Sequence, residues 1–317
     1  MFVQIIAFGI ISSILSTKLI PRIIKFGSEK GFIDKKKSTL NNSASKVRIG
    51  GIAIYLGQII TLCFAFIFTT NLPNSDLNLL FISSTSLIFF IGLLDDILSL
   101  SPIFRLIVQL STASFVYLCG ININQDYFLI FTNNNNNFFN PYLFSFVFTN
   151  IWLIGTTNAI NWFDGLDGLA SGFTITCSVV LGIINLINNN TYGLLLSVII
   201  LGSTLGFLKY NFYPSKVLMG DCGSNFIGFY LALLALITFK IDSLKTLACM
   251  LILFSVPILD MFKVIIFRFI DGKNPLKGDE SHLHYRLLNN GISHKNSVLF
   301  LYFLFVITST LSYALYM

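Results

Sequence analysis

Long apolar segments alternate with short polar loops along almost the whole chain. An α-helix needs about 20 mostly apolar residues to cross the hydrocarbon core of a bilayer, and ten stretches approach that length. They cover residues 2–24, 50–70, 77–94, 103–121, 142–160, 169–188, 193–208, 223–239, 244–267 and 296–316. The pattern therefore predicts an all-α, polytopic membrane protein with about ten transmembrane helices. Because no soluble domain, internal repeat or long linker interrupts it, we expect one integral-membrane domain over residues 1–317.

The composition and the distribution of charge agree with a membrane setting. Apolar residues make up 55% of the 317 residues and charged residues only 11%, against roughly 25% charged residues in an average soluble domain. If the N-terminus lies outside, 18 of the 20 lysine and arginine residues fall inside, and only Lys240 and Lys245 fall outside. The positive-inside rule therefore favours both termini outside. Binding of nucleic acid is not indicated, because it would need basic residues clustered on a folded soluble domain.

The same topology brings acidic residues from four separate loops to the inner surface. Their concentration on one face is the first indication of a functional site. Cysteine gives no comparable signal, because the five cysteines are scattered and form no CxxC pair that would indicate zinc. The acidic residues are Asp95, Asp96, Asp164, Asp167, Asp221, Asp279 and Glu280.

The stretch NAINWFDGLDGLASG, residues 158–172, places two aspartates where two apolar segments meet. If the fifth helix continued through Asp164 and Asp167, the two charges would cost roughly 5 to 7 kcal/mol on the insertion scale. We therefore expect the helix to break there, in irregular backbone covered by protein or facing a water-filled cavity. One interpretation is a polar loop with an aspartate that caps the next helix. The other is a cavity that presents carboxylates and amides to a ligand with a metal.

Two further stretches favour the second interpretation. GLLDDILSLSPIFR contains adjacent Asp95 and Asp96, which repel one another unless a cation or a proton relieves them. NFYPSKVLMGDCGSNFIGF places Gly220 and Asp221 at the start of a helix, where small residues let a ligand approach and the helix N-terminus favours anions. Taken singly, each also fits an ordinary helix end.

Histidines and cations are grouped in NPLKGDESHLHYRLLNNG, near the C-terminal end. His282 and His284 lie beside Lys277 and Arg286, on what the topology predicts to be the inner face. A structural alternative is an interfacial helix that contacts lipid headgroups.

Together these motifs resemble the polyprenyl-phosphate N-acetylhexosamine-1-phosphate transferase superfamily, from about Lys30 to Gly291. KVRIGGIAIYLG resembles the family's PRxGG motif, with Val47 in place of the usual proline. GLLDDILSLSP, NAINWFDGLDGLASG and VLMGDCGSNFIG resemble its aspartate-pair, Asn/Asp-loop and Met-Gly-Asp motifs, in the family's order. DESHLHYRLL resembles the histidine motif of the branch that acts on UDP-GlcNAc-type donors, although Tyr285 stands where a third histidine is common. The HHHFE motif of the peptidoglycan branch is not present.

The resemblance implies an enzyme that transfers a HexNAc-1-phosphate, above all GlcNAc-1-phosphate, from a UDP-sugar to undecaprenyl phosphate and releases UMP. This is the first membrane step of a cell-surface polysaccharide such as an O-antigen or a teichoic-acid linkage. The expected setting is the bacterial cytoplasmic (inner) membrane, with the active site on the cytoplasmic face. Mg²⁺ is the expected cofactor, because it takes oxygen ligands from one or two carboxylates and from substrate phosphates. Mn²⁺ is an alternative metal, and a homodimer is an alternative to a monomer.

The resemblance also implies roles for individual residues. Asp221 is the leading metal ligand and Asp164 the second. Arg105 is a weaker candidate for a residue of the active-site cavity. The expected catalytic residues are Asp95, Asp96 and Asp164, and the expected substrate-binding residues are Asn158, Asn161, Asp167, His282, His284, Arg286, Lys46 and Arg48.

Two other functions remain as alternatives. One is the phospho-MurNAc-pentapeptide translocase step of peptidoglycan synthesis. The other is a secondary transporter, which would show an inverted repeat that this sequence lacks. A further acid, Asp260, lies inside the ninth segment, where an ionisable residue suggests function. Lys263, about one helical turn further on, offers it a structural ion pair, so we do not predict that Asp260 belongs to the site.

We predict that Asp95→Asn lowers the rate of transfer with little change in the shape of its pH profile. A phosphate monoester has a second pKa of roughly 6, so the lipid phosphate is mostly dianionic at neutral pH and scarcely requires a general base. Asp95 would then position the acceptor or a cation, with help from Asp96, for a direct in-line attack. Measuring kcat against pH for the two proteins tests this. A variant that loses a distinct limb of the profile would instead identify Asp95 as a base.

Overall fold

A computed structural model describes residues 1–34, 46–69, 75–125, 140–272 and 281–317, which form twelve helices and no strand. This confirms the all-α, polytopic class. The helices are α1 (Phe2–Lys30), α2 (Gly51–Phe68), α3 (Ser75–Leu98), α4 (Pro102–Leu118), α5 (Pro141–Phe163), α6 (Leu169–Ile187), α7 (Thr191–Asn211), α8 (Gly220–Phe239), α9 (Leu244–Leu253), α10 (Ser255–Ile270), α11 (Leu283–Asn289) and α12 (His294–Tyr316).

Each predicted membrane-spanning stretch overlaps a helix, or two helices in the case of 244–267. Among the described residues, eight helices are long and apolar enough to cross a membrane, and α9 with α10 forms a ninth, bent candidate. The predicted stretch 103–121 corresponds to α4, a shorter apolar helix of 17 residues.

The predicted span 244–267 is not a single straight helix. It breaks after Leu253, and α9 and α10 meet at an angle of 77°. Pro257 explains the break, because it lacks the N–H that would bond the carbonyl of Leu253 and its ring crowds that carbonyl. The bend directs α10 away from the axis of α9.

Local sequence signals explain where several helices begin. α4 and α5 start at Pro102 and Pro141, and the side chains of Ser101 and Asn140 accept hydrogen bonds from the first-turn backbone N–H groups. Proline fits there because its fixed φ suits the first turn and its missing N–H has no intrahelical partner to lose.

α8 forms the centre of the bundle. Seventeen of its 20 residues are buried, and α8 packs against α2, α3, α5 and α6. Its N-terminus lies near the C-terminal ends of α3 and α5, so the loops of the predicted site meet at one end of the bundle.

A short piece of extended backbone completes that end. Val47 forms an antiparallel bridge with Ile33 and a parallel bridge with Val217. The backbone N–H of Arg48 donates to Phe32, and the carbonyl of Val47 accepts from Leu218. Residues 46–50 are thereby fixed between the end of α1 and the start of α8.

α1 and α7 cross at very short range. A Cβ atom added to Gly202 would lie 2.1 Å from the carbonyl oxygen of Gly9, so only glycine fits. The hydroxyl of Ser12 adds hydrogen bonds to the carbonyls of Gly57 and Ile199. Small residues at helix crossings allow this approach in membranes, where packing and polar contacts replace the hydrophobic effect.

Gly202→Ala should destabilise the protein by about 1 to 3 kcal/mol, because its methyl group collides with backbone that has no flexible side chain to move. The matched control is Gly155→Ala in α5, where an added Cβ has no heavy-atom neighbour within 4 Å. The control should be neutral or slightly stabilising, since alanine is the better helix former. Thermal unfolding of the purified protein in detergent compares the two. Equal melting temperatures would contradict the packing account.

Candidate active site

Asp96, at the end of α3, connects three segments of the chain. Its buried carboxylate accepts hydrogen bonds from Nε and Nη2 of Arg48, both at 3.1 Å. It also accepts from the backbone N–H groups of Asp221 at 3.0 Å and Cys222 at 2.8 Å. These N–H groups lie in the first turn of α8, where they lack intrahelical partners and carry the positive end of the helix dipole. Asp96 therefore fixes the start of α8 against the segment that carries Arg48.

Asp95 faces a different set of groups. It accepts a hydrogen bond from the backbone N–H of Leu100 at 2.7 Å and forms an ion pair with Arg105 at the start of α4. Its carboxyl group also lies close enough to that of Asp221 for the two charges to repel one another. The predicted aspartate pair is thus divided, one member against the α8 backbone and the other towards Asp221.

Asp221 is more exposed than either aspartate of the pair. Its side chain retains 27% exposure, compared with 0% for Asp96 and 8% for Asp95. Asn161 donates to Asp221 at 2.6 Å, and Nη2 of Arg48 lies 3.4 Å from its other oxygen. The structure therefore brings Asp95, Asp96, Asp221, Asn161 and Arg48 together.

Asn158 lies one helical turn before Asn161 and belongs to a hydrogen-bonded series with two residues that no sequence motif marked. Its amide donates to the side chain of Gln109 at 2.7 Å, and Gln109 donates to Asn225 at 3.4 Å. Gln109 and Asn225 are both buried. Their position inside apolar segments could have revealed them, because polar residues within a membrane-spanning helix face the bundle interior.

Asp164 and Asp167 occupy the break between α5 and α6. Asp164 directly follows the last residue of α5 and is partly exposed, so the predicted interruption of the helix is present. Asp167 is buried; it accepts from Lys46 Nζ at 2.9 Å and from the backbone N–H of Ser215 at 3.0 Å. Burial raises the pKa of Asp167, but the hydrogen bonds from Ser215 and Lys46 outweigh it, and the pKa lies below its ordinary value. Lys46 and Asp167 thus neutralise one another.

The histidine motif packs onto this loop. His284 is buried with its ring against Gly165, at a place where any side chain on residue 165 would collide with the imidazole. The rings of His282 and His284 are parallel within 5° at 5.6 Å, and Tyr285 lies 4.3 Å from His284. Arg286 is exposed. Three charged residues of this motif, Lys277, Asp279 and Glu280, lie outside the described residues.

The prediction that Lys263 pairs with Asp260 was wrong. Asp260 contacts Nδ1 of His282 at 2.8 Å, whereas Lys263 lies over the ring of Phe267. Helical spacing favoured Lys263, but the bend before α10 turns Asp260 towards the histidine motif. A second residue of α10 was also missed: Arg268 is buried with its guanidinium 5.4 Å from the ring of Trp162.

Aspartates, amides and arginines meet at one end of a polytopic helical bundle. This arrangement is typical of a membrane enzyme that binds a charged substrate. Comparison with known proteins supports this class. Residues 78–239 match glycosyl transferase family 4. The chain is 33% identical over 308 residues to the "Probable undecaprenyl-phosphate N-acetylglucosaminyl 1-phosphate transferase" of Bacillus subtilis (strain 168), with 94% of this chain and 81% of that relative covered.

Two other relatives carry related names. A "Decaprenyl-phosphate N-acetylglucosaminephosphotransferase" of Mycolicibacterium smegmatis is 31% identical over 288 residues, covering 80% of this chain and 68% of the relative. A "Phospho-N-acetylmuramoyl-pentapeptide-transferase" of Streptococcus agalactiae is 31% identical over 260 residues, covering 74% and 73%. The chain belongs to glycosyl transferase family 4, which confirms the resemblance of its motifs and the prediction of an enzyme.

Asp167→Asn should destabilise the protein by about 1 to 3 kcal/mol at neutral pH, because it removes the charge from hydrogen bonds to Lys46 and Ser215. A carboxylate whose pKa is lowered by folding stabilises fully above its unfolded pKa of about 3.9, and this contribution is lost as pH falls through the lower folded value. The melting temperatures of wild type and variant should therefore differ at pH 7 and converge below pH 4. A constant difference from pH 7 to pH 3 would contradict the assignment.

Proposed function

We propose that the protein transfers GlcNAc-1-phosphate from UDP-GlcNAc to undecaprenyl phosphate and releases UMP, at the start of a cell-surface polysaccharide. The observation that carries the proposal is the joining of Asp95 and Asp221 with Asn161, Arg48 and Arg105 at one end of the bundle. Relatives whose names specify polyprenyl phosphates and N-acetylglucosamine support the choice of substrates.

The reaction requires little covalent chemistry from the protein. An oxygen of the lipid phosphate attacks the sugar-bearing phosphorus of the donor, and the bond from that phosphorus to the bridging oxygen breaks, so that UMP leaves. Such transfers are catalysed mainly by positioning and by neutralisation of charge. Arg48 and Arg105 supply positive charge beside the acids. Asn158 and Asn161, one turn apart on α5, line the same end of the bundle as donor-binding residues, with Asp167 and Lys46 fixing the loop that follows.

The acidic residues suit a magnesium ion. The neighbouring carboxyl groups of Asp95 and Asp221 repel one another unless a cation or a proton lies between them. No group of three or more His, Cys, Asp or Glu side chains among the described residues is arranged to hold a metal alone. Mg²⁺ does not need one, because it is usually held by one or two carboxylates together with substrate phosphates and water. Bound by Asp221 and Asp95, it would neutralise charge on the donor diphosphate.

The remaining aspartates are assigned by what they contact. Asp96 is engaged by Arg48 and by the α8 backbone, so we assign it the task of organising the site. Asp164 directly follows α5, three residues after Asn161, and stays a predicted metal ligand. His282, His284 and Arg286 stay predicted contacts of the diphosphate or sugar phosphate.

We place the site at the cytoplasmic face of a bacterial inner membrane. Lys46, Arg48 and Arg105 lie in the site, and Lys209 and Lys216 are exposed near it, around the end of α7. Cationic loop residues favour the cytoplasmic side. This orientation leaves both termini outside and lets a polyprenyl chain stay in the bilayer while its phosphate meets a soluble nucleotide donor.

The test incubates purified protein with Mg²⁺, undecaprenyl phosphate and labelled UDP-GlcNAc, UDP-GalNAc or UDP-MurNAc-pentapeptide. We expect UMP and a lipid-linked sugar diphosphate with UDP-GlcNAc, no product after chelation of divalent ions, and recovery when Mg²⁺ is restored. Asp221→Asn should lower kcat by at least about 100-fold, the scale seen when one electrostatic group of a catalytic site is removed.

The matched control is Asp242→Asn, an exposed aspartate between α8 and α9 at the opposite end of α8 from Asp221, which should keep wild-type activity. Product with UDP-MurNAc-pentapeptide alone would transfer the assignment to the peptidoglycan step. Absence of UMP with every donor would overturn the proposed function.

A further inference from the structure

Asp260 and His282 form a buried pair beside the site. The side chains retain 4% and 6% exposure, and Oδ2 of Asp260 lies 2.8 Å from Nδ1 of His282. The other oxygen, Oδ1, accepts from the backbone N–H of Leu283 at 2.7 Å. When the carboxylate is ionised it only accepts hydrogen bonds, and Nδ1 then carries the proton. The second nitrogen, Nε2, is then the atom of His282 that remains for a ligand.

The ring of His282 is held on further sides. Trp162, two residues before the break after α5, contacts it in a T-shaped arrangement at 6.0 Å. His284 stacks parallel to it at 5.6 Å and is itself seated against Gly165. Arg268 of α10 covers the ring of Trp162. These contacts fix the plane of the imidazole, and the contact with Asp260 fixes which nitrogen faces away.

The position of Asp260 in the fold is unusual for a purely structural acid. Its neighbours Leu259 and Phe262 are 65% and 50% exposed, as expected for a lipid-facing helix surface. An ionisable group within a membrane helix is expensive and marks function by default. The bend after Leu253 turns this acid towards the histidine motif.

We propose that Asp260 is a positioning residue for the transfer reaction and acts through His282. It holds the proton on Nδ1 and presents Nε2 to the phosphate groups of the donor. Its negative charge also stabilises the doubly protonated ring when Nε2 binds an anion, as a buried aspartate does for the imidazolium of a hydrolase triad. The inference rests on the proposed function, because that function supplies the diphosphate that His282 meets.

The competing explanation is a latch, a contact that only holds the start of α11 against α10. Asp260→Asn separates the two, because asparagine has almost the same shape and its oxygen still accepts from Leu283. The amide can, however, donate to Nδ1, which would move the ring proton of neutral His282 to Nε2. A latch survives this change, whereas the positioning role does not.

The direct test is nitrogen NMR on protein labelled with ¹⁵N-histidine. The chain has three histidines, and His282→Gln identifies the signals of His282. We expect a protonated Nδ1 in the wild type and a proton on Nε2 with a bare Nδ1 in Asp260→Asn. The signals of His294, outside this pair, report whether the variant is folded. A wild-type His282 with a bare Nδ1 would overturn the proposal, and this result needs no Asp260 variant.

The kinetic test is a double-mutant cycle. Asp260→Asn should lower kcat by roughly 10- to 100-fold, the scale for partners that orient a functional histidine, with a much smaller change in KM for UDP-GlcNAc. In the His282→Gln background the same substitution should change kcat by no more than about twofold. That is the deviation from additivity expected of two residues that do not interact. Asp242→Asn is again the matched control.

The outcomes separate the two hypotheses. If the wild type turns over and Asp260→Asn matches it, or if the Asp260 effect persists without His282, the positioning role is wrong while the proposed function stands. If the wild type makes no product with any donor, the proposed function is wrong. The role of Asp260 in transfer is then wrong too, whichever nitrogen of His282 carries the proton.

Discussion

The contact of Asp96 with the start of α8 is the interaction on which the arrangement of the site depends. A buried carboxylate is tolerated only when hydrogen bonds and positive charge replace its water. Asp96 receives both from Arg48 and from the first turn of α8. The requirement to satisfy one acid therefore joins α3, the extended segment 46–50 and α8. Asp221 is placed as a consequence, because its own backbone N–H is part of the contact.

The aspartates of this protein show that contact, rather than residue type, decides what an acid does. Asp96 and Asp167 are turned towards backbone N–H groups and cations, and they hold segments together. Asp221 keeps the largest exposure of the three acids in the cluster. Asp260 turns towards a histidine. The chain thus separates acids that build the site from those available to a substrate or a metal, although both kinds lie at one end of the bundle.

The sequence predicted the helical class and the membrane-spanning stretches, and it marked many of the residues that meet at the site, because each has a local signal. Apolar length marks a span, and charges in an apolar setting mark a site. Pairing could not be predicted, because it depends on the angle between helices. Helical spacing assigned Asp260 to Lys263, and only the bend at Pro257 explains why His282 takes that place. Gln109 and Asn225 were missed because a single amide in a span carries no information about its partner.

The extended segment around Val47 has a consequence for how the site tolerates change. Alternate residues of extended backbone point to opposite sides, so Lys46 and Arg48 share one side while Val47 is buried on the other. A shift of register by one residue would exchange these sides, placing a cation in the core and leaving Asp96 and Asp167 without their cationic partners. Insertions or deletions between Lys46 and Gly50 should thus be far more damaging than point changes, an indel sensitivity more typical of sheet proteins than of helical bundles.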